Sequence, residues 1–256
     1  MLLIVKRQSN DRDCYGVERV NCFVKGVKKV NVALVLAGGN GTRLGSSTPK
    51  QYITVAGIPL IAYSLRTLQL SNDVDAIVIV AAENWRKLVS ECVQCEHITK
   101  FSGFALPGES RQQSVYSGLC LINTTFPLTK FVLIHDAARP NVSLDLISNC
   151  FKSISEEDGV LPALPVKDTI YLSRDGENID TLLPRNQLFA GQAPELFDFK
   201  KYFDAHLQDI KSLHLINGSS EIAVKNGMKI RIICGEEKNY KVTTKEDFER
   251  FRKEKE

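Results

Sequence analysis

An apolar run that ends in a glycine-rich loop sets the framework for this chain. Residues Val32–Ala37 have the composition of a buried β-strand, and four glycines follow between Gly38 and Gly45. Because glycine carries no Cβ, the backbone N–H groups of such a loop can approach a ligand closely. The sequence therefore predicts an anion-binding loop directly after a strand.

Two cations, Arg43 and Lys50, flank this loop. Fixed positive charges beside converging N–H groups suit a triphosphate better than a single carboxylate. The loop is not a P-loop, because no Gly-Lys-Ser/Thr ends it, and Leu44 stands where a dinucleotide fingerprint requires its third glycine. No Asp or Glu occurs between Glu18 and Asp73, so the acid that would bind a dinucleotide ribose is missing as well. These features predict a nucleotide site and argue against a nicotinamide enzyme.

Composition indicates one domain with an appendage. The chain has 256 residues and 43% apolar content, enough to bury a full core. Residues 1–30 hold seven Lys/Arg against three Asp/Glu and account for the net charge of +3, leaving 26 against 27 elsewhere. The nearly neutral charge of the rest of the chain argues against a groove that binds nucleic acid. We therefore predict an N-terminal extension over residues 1–30 and a single domain over residues 31–256.

Cysteine usage and hydropathy predict a reduced, cytoplasmic protein without a membrane segment. Seven cysteines are scattered without the dense spacing of a secreted scaffold. Cys92 and Cys95 have the spacing of a metal-binding pair with His97 nearby, but no second ligand pair follows. Residues 1–5 are too short for the apolar part of a signal peptide, and no run approaches the roughly 18 apolar residues of a membrane span.

From Asn31 onward, apolar runs of strand length alternate with helical stretches. This alternation is typical of parallel strands joined by right-handed crossovers and predicts an α/β fold. Ser110 and Ser143 are expected to cap two of the helices. The predicted strands are Val32–Ala37, Ala76–Ala81, Phe131–His135, Val160–Pro165 and Lys229–Cys234, and the predicted helices are Pro59–Leu70, Glu83–Val93, Arg111–Leu121 and Leu144–Ile154.

Residues 167–187 depart from this rhythm. Two strand-like segments, Asp168–Ser173 and Ile179–Pro184, flank the turn signal Asp175-Gly176. They predict a β-hairpin. A hairpin has too little apolar surface to stand alone, so it must pack against its own domain or against a second copy of the chain.

The predicted strand Phe131–His135 is followed directly by an acid, Asp136. Ligands of open α/β sheets bind beyond the carboxyl ends of the strands, so Asp136 is expected to face the same crevice as the glycine loop. We predict that Asp136 helps to hold Mg²⁺, which takes one or two carboxylates together with phosphate oxygens and waters.

The motif residues resemble those of a known family. Leu36-Ala37-Gly38-Gly39-Asn40-Gly41-Thr42-Arg43-Leu44-Gly45, followed by Pro49-Lys50-Gln51-Tyr52, is similar to the signature of CTP-dependent polyol-phosphate cytidylyltransferases. These enzymes act on 2-C-methyl-D-erythritol 4-phosphate or ribitol 5-phosphate. The resemblance spans about residues 31–251. It implies a Rossmann-like, three-layer nucleotidyltransferase sheet, mostly parallel, with a protruding β-hairpin arm at about 167–187 through which two copies dimerise.

The resemblance also implies roles for individual residues. The catalytic set is Arg43, Lys50 and Lys241. The nucleotide-binding set is Ala37, Gly38, Gly39, Gly41, Thr42, Gly108, Arg111 and Ser114, the last three holding the pyrimidine and its ribose. The substrate-binding set is Asp136, Arg139, Thr169 and Arg185, of which Arg185 reaches the substrate of the neighbouring subunit. Without the resemblance, Arg139 and Arg185 can also be interpreted as ordinary surface charges.

The reaction implied is attack of the polyol's phosphate oxygen on the α-phosphorus of CTP, with Mg²⁺ as cofactor. A phosphate needs no base, so His135 is interpreted as structural. Pro49-Lys50-Gln51-Tyr52 and His135-Asp136-Ala137-Ala138-Arg139-Pro140 favour methylerythritol phosphate as the acceptor. The glycine-rich motif of residues 36–43 and Gly191-Gln192-Ala193-Pro194 favour ribitol phosphate. We predict methylerythritol phosphate as the acceptor, with ribitol phosphate as the alternative.

Two departures from the family's pattern leave alternatives open. Residues 217–221 lack the acid of the family's Thr-Asp-Asp/Glu-Ala, and Lys238 precedes Asn239 where the erythritol enzymes carry Asp. A nucleotide-binding regulator without turnover therefore remains an alternative of another class. A uridylyl- or guanylyltransferase is a third.

Overall fold

The computed structural model describes residues 29–39 and 48–256, and within them the chain forms twelve strands and seven α-helices. The strands are β1 Val30–Leu36, β2 Thr54–Val55, β3 Ile58–Pro59, β4 Ala76–Val80, β5 Phe101–Ala105, β6 Thr129–Asp136, β7 Gly159–Pro165, β8 Tyr171–Leu172, β9 Thr181–Leu182, β10 Phe189–Gly191, β11 Glu195–Asp198 and β12 Ile230–Cys234. The helices are α1 Leu60–Leu70, α2 Glu83–Cys95, α3 Arg111–Thr125, α4 Leu144–Ser153, α5 Phe199–Gln208, α6 Ser219–Lys225 and α7 Lys245–Lys255. None of these seven helices combines the length and the apolar composition that a membrane span requires.

Eight of the strands form one mixed, mostly parallel sheet. β1 lies near its centre and pairs in parallel with β4 and with β6, and β4 continues in parallel to β5. On the other side, β11 runs antiparallel between β6 and β7, and β10 pairs antiparallel with β7. β12 pairs in parallel with β7. The predicted α/β fold and all five predicted strands are confirmed.

Apolar side chains on both faces of the sheet pack against helices. Alternate residues of each strand point to opposite faces, so Val35 of β1 packs towards α1, α2 and α4, whereas Leu34 packs towards α3 and α5. Helices on both faces give the three layers that the resemblance implies. Ser110 and Ser143 cap α3 and α4 as predicted, since each hydroxyl accepts a hydrogen bond from a backbone N–H of the first turn.

Three strands of the sheet are not predicted by the sequence, and one of them, β10, has only three residues. β5 contains Ser102 and Gly103 and lies at an edge of the sheet, so it lacks a continuous apolar run. β11 has only four residues and directly follows Pro194. It matters for the site, because its first residue is a buried glutamate.

Helix α3 approaches β1 unusually closely, at Gly118. A Cβ there would lie 2.4 Å and 2.6 Å from the two methyl carbons of Leu34, which is fully buried. We expect Gly118→Ala to lower the free energy of unfolding by roughly 1–3 kcal/mol through overpacking, although alanine is the better helix former. Asn123→Ala, on the exposed face of α3, is the matched control. It should change the free energy of unfolding, measured by urea titration, by about 0.5 kcal/mol or less. An unchanged or raised stability of Gly118→Ala would contradict this packing argument.

The segment predicted to form a hairpin contains the short antiparallel ladder β8–β9. Tyr171 pairs with Leu182, and Leu172 pairs with Thr181. Both Tyr171 and Leu182 are more than half exposed, and Ile179 at the far end of the ladder is 66% exposed. That this segment is an arm that clasps a second subunit stays a prediction.

Candidate active site

A cleft of about 630 Å³ opens beyond the carboxyl ends of β1 and β6. Its wall brings together residues that are far apart in the sequence. These include Gly38, Gly39, Lys50, Gly108, Arg111, Ser114, Asp136 and Lys241. Asp136 and the first glycines of the loop thus face the same crevice, as the strand order predicts.

The start of the glycine loop is held by the segment that follows it. The Gln51 side-chain amide donates hydrogen bonds to the carbonyl oxygens of Ala37 (2.6 Å) and Gly39 (2.7 Å). The Tyr52 hydroxyl donates to the Ala37 carbonyl as well, at 2.8 Å, and its ring stacks on Trp85. Burial raises the pKa of Tyr52 to about 12, so the hydroxyl stays a donor at neutral pH. Both side chains fix the path by which the chain enters the cleft.

The turn before α3 forms another part of the wall. Ser114 Oγ accepts a hydrogen bond from the Gly108 N–H (3.0 Å) and donates to the Ser110 carbonyl (2.9 Å). A Cβ at Gly108 would lie 2.4 Å from Cβ of Gln113, so only glycine fits beside the first turn of the helix. Packing within the protein already accounts for this glycine. Its implied role beside a pyrimidine stays a prediction.

Asp136 lies between two cations in the floor of the cleft. Its Oδ2 accepts a hydrogen bond from Lys241 Nζ at 2.8 Å, and its Oδ1 accepts one from Arg111 Nη2 at 3.3 Å. Burial acts to raise the pKa of Asp136, but Arg111 and Lys241 together outweigh it and hold the pKa well below its ordinary value. The carboxylate is therefore ionised throughout the neutral range.

Lys241 is positioned by the buried residue Asn239. The Asn239 side-chain amide donates to the Ala193 carbonyl at 2.8 Å, and its backbone carbonyl accepts a hydrogen bond from Arg139 Nη1 at 2.7 Å. These contacts tie the segment before Lys241 to the turn after β6. The lysine is thereby held over the carboxylate of Asp136.

A second pocket of about 330 Å³ adjoins the cleft. Its wall shares Arg111, Asp136 and Lys241 with the cleft and adds Arg139, Gln192 and Glu195. Two adjoining pockets with a common charged wall suit a reaction between two bound molecules, because both are held next to the same cations.

Some of the predicted site residues lie elsewhere or outside the described part of the chain. Thr169 and Arg185 are exposed and line neither of these pockets within this chain; Arg185 Nη1 instead donates to the Lys167 carbonyl at 2.7 Å. Gly41, Thr42 and Arg43, like residues 1–28 of the predicted extension, lie outside the described residues.

His135 has the surroundings of a structural residue. It is fully buried, and its Nε2 lies 3.2 Å from the Arg139 carbonyl oxygen. Burial lowers the pKa of His135 to about 4, so the ring is neutral at physiological pH. This agrees with its interpretation as structural.

Sequence reasoning missed two residues of these walls. Gln51 belongs to a motif that was recognised, but only the lysine beside it was assigned a role. Glu195 carries no local signal, because it opens a strand of four residues after a proline. Nearby, the Ser219 hydroxyl accepts a hydrogen bond from Arg111 Nη1 at 2.6 Å, so the segment that departs from the family's pattern lies against the site.

No group of three or more His, Cys, Asp or Glu side chains in the described ranges could hold a metal ion. Asp136 nevertheless places an ionised carboxylate in the floor of the cleft. Mg²⁺ takes such a carboxylate together with phosphate oxygens and waters. The site therefore fits a cation that binds jointly with a nucleotide, and Mg²⁺ stays a prediction.

The α/β sheet and the paired, cation-lined pockets at its carboxyl edge define a nucleotidyltransferase. Comparison with protein families agrees, since the family described as "IspD: 2-C-methyl-D-erythritol 4-phosphate cytidylyltransferase" matches residues 31–252. The chain belongs to this family of cytidylyltransferases.

The names of individual relatives differ in the polyol phosphate that they give as the substrate. A 2-C-methyl-D-erythritol 4-phosphate cytidylyltransferase of Pelotomaculum thermopropionicum is 34% identical over 219 residues, which cover 84% of this chain and 90% of the relative. A ribitol-5-phosphate cytidylyltransferase of Vibrio parahaemolyticus is 30% identical over 222 residues, covering 86% and 93%. The crystal structure of a 4-diphosphocytidyl-2C-methyl-D-erythritol synthase from Anaerococcus prevotii has a TM-score of 0.77 at 23% identity, covering 88% of this chain and 96% of that one. The structural likeness supports the fold.

Proposed function

We propose that this chain transfers CMP from CTP to 2-C-methyl-D-erythritol 4-phosphate and releases pyrophosphate. The observation that carries the proposal is the pair of adjoining pockets with Arg111, Asp136 and Lys241 in their common wall. The larger pocket lies at the glycine loop and suits the nucleotide. The smaller pocket adds Arg139 and suits a polyol phosphate, and the names of several relatives support methylerythritol phosphate.

In this proposal, an oxygen of the acceptor's phosphate attacks the α-phosphorus of CTP in line. The new P–O bond forms as the bond to the β-phosphate oxygen breaks, and pyrophosphate leaves. Arg43, Lys50 and Lys241 offset the charge that builds up on the phosphates, so catalysis consists of positioning and electrostatic stabilisation. The buried, neutral His135 is not required, since the nucleophile is already an anion.

Asp136 is the proposed protein ligand of Mg²⁺. Its ionised carboxylate would exchange the contacts with Arg111 and Lys241 for the ion, which when bound supplies positive charge to the triphosphate. The two freed cations then face the phosphates of the substrates.

We further propose a cytoplasmic homodimer held together by residues 167–187. The exposed apolar side chains of β8 and β9 supply the contact surface. Because Thr169 and Arg185 line neither pocket of their own chain, the arm would bring them to the acceptor of the partner subunit. The five described cysteines are free thiols, which suits a reducing compartment.

Ribitol 5-phosphate is the second candidate acceptor. The wall of the smaller pocket includes Gly191, Gln192 and Ala193, the residues whose pattern favours ribitol phosphate, and one relative carries that name. A regulator that binds CTP without turnover is the alternative from another class.

Pyrophosphate release, measured with each of the four nucleoside triphosphates against both acceptors, tests the proposal. We expect the kcat/KM for CTP to be at least about tenfold above that for UTP, because a site that hydrogen-bonds the amino group of cytosine rejects the keto group of uracil. The kcat/KM for methylerythritol phosphate should exceed that for ribitol phosphate. CTP binding without pyrophosphate release would favour the regulator, and equal turnover with ATP would contradict the assignment.

A further inference from the structure

The smaller pocket contains a buried carboxylate that the proposed mechanism does not use. Glu195 is the first residue of β11 and pairs with Ile134 of β6, two residues before Asp136. Only 8% of Glu195 is exposed, although it is a charged residue. Burying a charge costs free energy unless other groups compensate it. The groups around Glu195 therefore indicate its role.

Glu195 is held from two helices. Its Oε2 accepts hydrogen bonds from the Ser220 N–H (3.0 Å) and from the Ser220 hydroxyl (2.6 Å), both at the start of α6. Its Oε1 lies 3.7 Å from Nη2 of Arg111, at the start of α3, which is an ion pair but too long for a hydrogen bond. The carboxylate is thus fixed in place while one oxygen lacks a short contact with the arginine.

Burial outweighs the groups that stabilise the ionised form of Glu195. Burial raises the pKa of Glu195, Arg111 and the hydroxyls of Ser220 and Ser219 lower it only in part, and Asp136 raises it further. A neutral hydroxyl donor brought into the pocket would stabilise this carboxylate, whereas an additional anion would be repelled by it.

The other charged groups of the pocket are less suited to bind a hydroxyl group. Arg111, Arg139 and Lys241 are donors only. Asp136 already accepts hydrogen bonds from Lys241 and Arg111 and is the proposed ligand of Mg²⁺. Glu221 also lines the pocket, but it is exposed to water and accepts hydrogen bonds from the backbone N–H groups of Asn217 and Gly218. A polyol phosphate presents an anion at one end and several hydroxyl donors along its chain, so it needs cations at one end of the pocket and an acceptor at the other.

We propose that Glu195 selects the polyol chain of the acceptor: its carboxylate accepts a hydrogen bond from a hydroxyl group and repels a second anionic group from that end of the pocket. This inference rests on the proposed function, because it assigns the smaller pocket to the acceptor. It names a specificity-determining residue, since the carboxylate touches the substrate away from the reacting atoms.

Glu195→Gln is the test, because it removes the charge and keeps the shape. We expect the KM of the polyol phosphate to rise about tenfold, since a charged acceptor of the hydrogen bond becomes a neutral one. Inhibition by inorganic phosphate, measured in competition with the acceptor, should become about tenfold stronger because a like charge is gone. The KM of CTP should stay within about twofold. A general structural defect would weaken the binding of both acceptor and phosphate.

Glu236→Gln is the matched control, because Glu236 lines neither pocket and its carboxylate accepts a hydrogen bond from the Ser143 hydroxyl, which glutamine can still accept. Neither the acceptor KM nor the inhibition by inorganic phosphate should change more than about twofold. If Glu195→Gln does not fold, Ser220→Ala loosens the same carboxylate without removing its charge, and should raise the acceptor KM severalfold with phosphate inhibition unchanged.

The inference is overturned if Glu195→Gln does not both raise the acceptor KM and lower the inhibition constant of inorganic phosphate. Where Ser220→Ala is used instead, it is overturned if the acceptor KM of that variant does not rise. Calorimetry with inorganic phosphate separates it from the proposed function. If the wild type releases no pyrophosphate with either acceptor, the proposed function fails. Tighter phosphate binding by Glu195→Gln than by the wild type would still support the electrostatic part, and equal binding would refute it.

Discussion

Lys241→Ala is expected to lower kcat by about two to three orders of magnitude while the protein stays folded. The lysine lies in the walls of both pockets, 2.8 Å from Asp136, where the proposed mechanism places the transferred phosphate. Its charge counters the charge that builds up in the transition state, and removing one such preorganised contact costs about 3–4 kcal/mol. Lys50→Ala, at the glycine loop, should have an effect of similar size, and so should Arg43→Ala.

Steady-state pyrophosphate release gives the measurement, and two variants serve as controls. Lys245→Ala removes an exposed lysine from the first turn of α7, four residues further on, and should leave kcat within about twofold. Lys241→Arg keeps the charge in a different shape and should retain more activity than Lys241→Ala. If Lys241→Ala turns over within threefold of the wild type, the electrostatic mechanism is wrong.

The part of the site that the sequence predicts depends on local patterns. β1 and the loop after it follow from an apolar run and a cluster of glycines, both of which are visible within a dozen residues. Asp136 follows from one further rule, that neighbouring parallel strands end at the same edge of the sheet. β1 and β6 do pair in parallel, with Leu36 opposite Asp136, so that rule suffices to place the carboxylate beside the loop.

The part that the sequence does not predict depends on pairing between distant segments. Glu195 reaches the pocket because β11 inserts antiparallel between β6 and β7, an arrangement that four residues cannot signal. Gln51 was passed over for a different reason: its hydrogen bonds go to backbone carbonyls, which have no sequence signature. Contacts of both kinds become visible only when the chain is folded.

The segment from residue 167 to residue 187 poses a related problem, because its predicted role requires a second chain. Tyr171, Ile179 and Leu182 are largely exposed, and exposed apolar side chains that lie together indicate a contact surface. At the base of the ladder, Arg185 contacts only the Lys167 carbonyl among the hydrogen bonds of the described residues. A cation on such an arm is useful for catalysis if the arm carries it to another subunit's acceptor phosphate.

Mixing Arg185→Ala with Lys50→Ala, two variants that are nearly inactive at an acceptor concentration well below KM, should restore activity if Arg185 acts across the dimer. Arg185→Ala alone is expected to keep the dimer and to raise the KM of the acceptor far more than that of CTP, because only one substrate loses a cation. A heterodimer of Arg185→Ala and Lys50→Ala subunits then contains one site with both defects and one site with neither. Random exchange makes half of the dimers mixed, so about a quarter of the wild-type activity should return.

The control for this experiment is subunit exchange itself, followed with differently tagged chains. Lys50 lies in the wall of the cleft of its own chain, so Lys50→Ala disables the site of the subunit that carries it. If Arg185 served its own chain, each site of the heterodimer would keep one defect, and no activity would return. Full exchange without recovery would therefore place Arg185 in its own subunit's site or in none, whereas recovery cannot arise without a contribution across the interface.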